Sequence, residues 1–160
     1  MNNIKSNEHK HAIIIIENNK NEYLQYYDER WKSFLFLNCK LVGDVENKNI
    51  IDDLVNKLHL NNNKLECKYL TDKIHKKYSE SAKKEKEYHH YFYNIDIKNM
   101  PIIMKQKNFS IDNVKYSWYT LEELEQDKRI QEVNSDIVVY IKNLKITDFR
   151  GWNHSRSIFL

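Results

Sequence analysis

Three sets of residues in this chain are of types, and at spacings, that could do chemistry. Asp44 and Glu46 flank Val45, so on an extended segment both carboxylates project to one side, and Asp53 follows a short way on. Hard oxygen donors of this kind suit Mg²⁺ and the activation of water. Lys40 and Lys57 bracket the acidic set and suit phosphate groups. His89, Tyr91 and Tyr93 alternate along one segment, so they share a face and offer an imidazole and two rings on which a base could stack. His90 points the other way.

Other candidates carry less. His9 and His11 have the spacing of two metal ligands on a strand, but no third donor lies near them in sequence. Lys73, Lys76, Lys77, Lys83, Lys84 and Lys86 crowd one stretch that Glu80, Glu85 and Glu87 interrupt, which reads as a solvated connection or as a flap over phosphates. Cys39 and Cys67 are too few for a disulfide framework or a four-thiolate zinc site, so reduced thiols are expected. With two glycines and one proline in 160 residues, neither a phosphate-binding P-loop nor a dinucleotide-binding glycine turn can be built. A net charge of +3 is too mild to signal nucleic-acid binding.

The elements that must position these residues follow from periodicity. Residues 11–17 form a β-branched run of strand length, and 22–28 a second strand after the turn at 18–21, so the two are expected to make a hairpin. Residues 33–37 read as a third strand. From Asn49 to Leu60 the period becomes helical, with Ile50, Leu54 and Leu58 on one stripe. Residues 65–70 read as a strand, 71–87 as a polar connection, 88–97 as an aromatic strand and 113–119 as another. Thr120 and Glu123 have the form of a capping box that opens a short helix. A last helix, capped by Asn134 or Ser135, carries Ile137, Val138, Ile141 and Leu144 inward. The fold class expected is α/β, helices on both sides of a mixed sheet.

Residues 12–26 resemble the opening hairpin of the Nudix superfamily. Leu41-Val-Gly-Asp-Val-Glu46 is similar to the start of that family's box, and Tyr116 to Leu124 to its late strand, tryptophan and capped helix. The likeness is also to a divergent Nudix-like group linked with bacterial nucleotidyltransferase signalling. It implies a single Nudix-like α/β/α sandwich over residues 11–145, with a flexible N-terminus at 1–10 and a tail at 146–160 that packs on the domain or on a partner. In the family, glutamates one turn apart on the box helix hold Mg²⁺. Here Gly43 to Leu60 is a shorter span, and the glutamate positions fall to Asp53, Asn56 and Lys57, so a face of three negative charges becomes neutral overall. A lysine ammonium beside a divalent cation would cost several kcal/mol.

The resemblance thus leads to an expectation of a degenerate domain that binds or senses a nucleotide-derived ligand, in bacterial signalling or anti-phage defence. Lys40 and Lys57 would face the phosphates, and His89, Tyr91 and Tyr93 the base. No cofactor is expected. One alternative is a hydrolase of nucleoside diphosphate-linked compounds that uses Asp44, Glu46 and Asp53 with Mg²⁺; another is a protein-interaction scaffold, homodimeric or bound to a partner through its tail. The polar N-terminus and the short aliphatic run at 12–16 lead to an expectation of a cytoplasmic protein without a membrane span.

Overall fold

The computed structural model describes residues 8–41, 47–61, 64–79 and 83–159, without the side chains of 8–9, 77–79 and 146–159. Strands β1 (Glu8–Ile15), β2 (Glu22–Asp28) and β3 (Ser33–Lys40) precede helix α1 (Asn47–Leu58). Strands β4 (Leu65–Ser79) and β5 (Lys84–Ile97), a 3₁₀ turn at Ile102–Lys105, β6 (Asn108–Ile111) and β7 (Val114–Thr120) follow, and α2 (Leu121–Gln126) and α3 (Lys128–Phe159) end the chain. Among the described residues the strands form one mixed sheet in the order β4-β5-β1-β3-β2-β7-β6, with β1 and β5 parallel.

The expected hairpin of β1 and β2 is corrected. They touch through a single bridge, Glu17 to Tyr23, and through the Leu24 amide donating to the Ile16 carbonyl at 3.0 Å. Strand β3 serves both instead. Its first half, from Ser33 to Phe36, pairs with β2, and its second half, from Leu37 to Lys40, pairs with β1. Both pairings are antiparallel, and so is the bridge that joins β1 to β2. Three strands cannot all be mutually antiparallel in one flat sheet, so β3 bends where it changes partner. Leu35, Phe36 and Leu37 are buried in succession because both faces of the sheet are covered here, as they are along Ala12 to Ile16.

Helix α1 covers one face. Its Ile50, Leu54 and Leu58 stripe packs with Ala12, Ile14, Ile16, Leu37 and Trp118. The other face carries Ile13, Ile15, Phe36 and Phe92, which Leu124 of α2 and Ile130, Ile137, Val138 and Ile141 of α3 enclose. The capping box of α2 is present in both directions: Glu123 N–H donates to Thr120 Oγ1 at 3.0 Å, and Thr120 N–H to Glu123 Oε1 at 2.9 Å. The 3₁₀ turn takes up the buried Trp118 indole, which donates to the Met104 carbonyl at 2.7 Å.

One further expectation is corrected. The polar connection at 71–87 is mostly strand: β4 and β5 pair from Leu65–Ile97 out to Ser79–Lys84, with opposite charges facing each other at Lys76 and Glu87. Lysines suit β4 because it is an edge strand, where charge blocks further pairing. The α3 run is two helices joined across Asn134: the last begins there, as expected, and a short one that the sequence did not suggest precedes it from Lys128, with Asp127 Oδ1 accepting from Ile130 N–H at 2.9 Å. Asn134 stands between the two helices at φ −136°, ψ 20°, a non-helical residue that kinks the run. The backbone of 146–159 continues α3; how the expected tail packs lies outside the described side chains. Among the described residues no helix is long and apolar enough to cross a membrane.

Candidate functional site

A cavity of about 220 Å³ opens beside the bend of β3, on the face that α3 covers. His11 and Ile13 of β1, Asn38 of β3 and His90 of β5 form its floor. They meet there because His11 pairs with both Lys40 and His90, and Ile13 with Asn38, so side chains of equal register lie side by side. Val133, Asn134 and Ile137 wall it on the α3 side, where the kink lies. The volume suits a ring system more than a whole ligand.

Its polar anchor is Asp28, which is only 5% exposed. The Tyr26 hydroxyl donates to Asp28 Oδ2 at 2.8 Å, and the amides of Arg30 and Trp31 donate to Oδ1 at 2.9 and 3.2 Å. Asn38 Nδ2 donates in turn to the Tyr26 oxygen at 3.2 Å. Burial alone would raise the Asp28 carboxyl, but the donors from Tyr26, Arg30 and Trp31 outweigh it and hold the group below its ordinary range. Tyr26 is pushed up to about 12, first by burial and then by its bond to Asp28, so it stays a neutral donor. Trp31 stands at the rim, 52% exposed, and Arg129 of α3 fixes its loop by donating from Nε to the Trp31 carbonyl at 3.1 Å.

The residues picked out from the sequence fall mostly on the opposite face. On α1, the Lys57 ammonium is 2.9 Å from the Asp53 carboxylate and 3.4 Å from the Asn38 carbonyl. His89 meets Asp72 through Nε2, and its ring stacks on Tyr91 at 4.3 Å. The hydrogen bond to His89 and another from Tyr69 hold the Asp72 carboxyl low. Tyr93 is buried, edge-on to Tyr69 at 5.5 Å. Between the two groups lies Cys39, whose thiol burial and Asp53 push up while Lys57 draws it down. The structure therefore brings Asp53 to Lys57, and His89 to Tyr91 and Tyr93, on the α1 face. Lys40 stands apart, two residues beyond Asn38 on the cavity face.

Asp44 and Glu46 lie outside the described residues. Among the described residues of the box helix, Asp53 pairs with the Lys57 ammonium and Asn56 brings no charge. Sequence reasoning passed over Tyr26, Asp28, Trp31 and Asn38, and of the neighbours His89 and His90 it chose His89, whereas His90 lines the cavity. Tyr26 and Asp28 alternate on one strand before a turn, a signal that could have been read. The approach of His11 to His90, with ring centroids 6.3 Å apart, depends on a parallel pairing of distant segments that no local pattern carries.

No family model and no curated protein matches the sequence. Solved structures do resemble it. The Ap4A hydrolase of C. elegans is 9% identical and aligns over 88% of this chain and 96% of its own, with a TM-score of 0.55. A NUDIX hydrolase from Nitrosomonas europaea is 10% identical over 88% and 90%, with a TM-score of 0.54. A NUDIX-family hydrolase from Clostridium perfringens is 15% identical over 86% and 95%, with a TM-score of 0.50.

Proposed function

Since this chain has the Nudix fold, we propose that it binds a nucleotide-derived ligand without a divalent metal and does not hydrolyse it. The observation that carries this reading is the ion pair of Asp53 with Lys57, on the helix face where the resemblance would put metal-holding glutamates. A carboxylate neutralised by its own helix neighbour is a poor Mg²⁺ ligand. The cavity beside β3 supports the binding half of the reading. It is the size of a ring system, Trp31 stands at its rim as a stacking surface, and Asp28, Tyr26 and Asn38 line it with polar atoms. Binding without turnover is the property of a sensor, which fits a role in bacterial signalling or anti-phage defence.

Calorimetry with mono-, di-, tri- and cyclic nucleotides in EDTA tests the proposal. At least one member binds, and Trp31→Ala weakens it by about 1–3 kcal/mol, the worth of one stacked base. Dinucleoside polyphosphates and nucleotide sugars stay intact in millimolar Mg²⁺ or Mn²⁺. Multiple turnover that Asp53→Ala abolishes would overturn the reading in favour of a hydrolase that draws on Asp44 and Glu46. No binding by any nucleotide would leave the interaction scaffold.

A further inference from the structure

The hydrogen bonds that line the cavity on its β2 and β3 side all donate in one direction. Asp28, a carboxylate held below its ordinary range, only accepts, so the Tyr26 hydroxyl gives its single proton to Asp28 Oδ2 at 2.8 Å. The Tyr26 oxygen therefore meets Asn38 as an acceptor, and Asn38 Nδ2 donates to it at 3.2 Å. The same nitrogen donates to the Phe36 carbonyl, another group that can only accept, at 3.0 Å. These two bonds fix which way up the Asn38 amide stands and use both of its N–H groups. Its side-chain oxygen is left over. Among the described residues that oxygen has no hydrogen-bond partner and is not one of the buried orphans, so it is open at the cavity that Asn38 lines.

A carbonyl oxygen only accepts, so the ligand atom that faces Asn38 has to donate. Donation through Nδ2 draws charge onto the amide oxygen and strengthens it as an acceptor. The other amide of the cavity, Asn134 on the α3 wall, makes no side-chain hydrogen bond among the described residues. It carries both a donor and an acceptor, so it accommodates whichever the neighbouring ring position offers. Among bases, adenine and cytosine carry an exocyclic amino group where hypoxanthine and uracil carry an oxygen. An oxygen at that position sets two acceptors against each other and leaves both without a proton. We infer that Asn38 is the specificity-determining residue of the cavity: its side-chain oxygen accepts from the exocyclic amino group of a base, so the site takes amino-bearing bases over their oxo counterparts. This rests on the binding reading above and names the class of base for it.

Calorimetry in EDTA compares ATP with ITP, which has an oxo group in place of the amino group, and with purine riboside triphosphate, which has hydrogen there. CTP is compared with UTP in the same way. Within whichever set binds, the amino-bearing nucleotide binds at least about tenfold tighter, as loss of a hydrogen bond to an open acceptor requires. Asn38→Leu, close in size and without the oxygen, brings the members of the set within about twofold of each other. Trp31→Ala weakens all of them alike and keeps their ratio, because a ring face reads no exocyclic group. The ratio in the unaltered protein needs no variant, and it decides the matter if thermal melting shows Asn38→Leu unfolded. In ¹H NMR of that complex the amino protons of the bound base move downfield. Equal affinities within each set, or a preference that survives in folded Asn38→Leu, overturn the role of Asn38 and leave the binding reading standing. If none of these nucleotides binds, the binding reading falls and the role of Asn38 falls with it.

Discussion

Asp28 shows how one buried carboxylate can organise a rim. It receives a phenol, a guanidinium and two amides, so removing its charge strands several donors at once. Asp28→Asn should cost about 1.5–3 kcal/mol at pH 7, the range for hydrogen bonds to a charged group. The sign of the pH effect follows from its lowered carboxyl. The stabilisation is present above the ordinary carboxylate range near pH 4 and disappears as pH falls through the depressed value. Urea unfolding of both proteins at pH 7 and near pH 3 should show the gap closing; a gap independent of pH would contradict the assignment. Lys57 is the opposite case. Its exposed helical pair with Asp53 is worth about 0.3–0.5 kcal/mol, so Lys57→Ala should leave the denaturation midpoint almost unmoved. The type of residue at 53, 56 and 57 was legible in the sequence, because helical spacing is local. That Lys57 would close on Asp53 was legible too, from their spacing of four on one helix, whereas Lys40 takes the other face through the register of β3, which a single chain does not spell out.

Elements whose cause is local were legible. The stripe of α1 needs one turn-to-turn period, and Leu54, 1% exposed, sits at its centre. Leu54→Ala should cost about 2–5 kcal/mol by leaving a cavity against the sheet, measured by chemical denaturation. The capping box of α2 needs two residues between its ends, and Thr120→Ala should cost about 1 kcal/mol. Strands β4 and β5 were half-read because pairing, not apolarity, holds their outer part. Lys76 and Glu87 or Ser79 and Lys84 look like loop residues until the partner strand is known. The last helix was read where the kink at Asn134 begins it, but the short helix from Lys128 before it was missed. Asp127 caps that short helix through Ile130 N–H, and its fully buried residue, Ile130 in the cluster with Leu124 and Phe36, is too little to show a helical period.

At the scale of the whole molecule, the class of fold followed from the alternation of strand and helix patterns, but the order of strands did not. Placing β3 between β1 and β2, and β1 beside β5, is a matter of closing two faces with one chain. The site inherits this arrangement: His11, Asn38 and His90 come together only because three separately encoded strands take adjacent places.

The parallel register of β1 with β5, running from Glu8–Glu87 to Ile15–Asn94, also has a consequence in time. As the chain is made, β1 is flanked on one side by β3, which follows soon after it, and on the other by a strand made much later. Until β5 emerges, the apolar run from Ala12 to Ile16 keeps one open hydrogen-bonding edge, the most adhesive feature a nascent chain can present. Enclosing it requires closure of a long loop, which places this domain among slow, non-local folders. Chains stopped at residue 83 should therefore aggregate, while chains stopped beyond Gln126 should gain protease resistance as β1 acquires its second neighbour. Pulse-chase synthesis of chains of graded length, with limited proteolysis at each length, would record the step where β5 arrives.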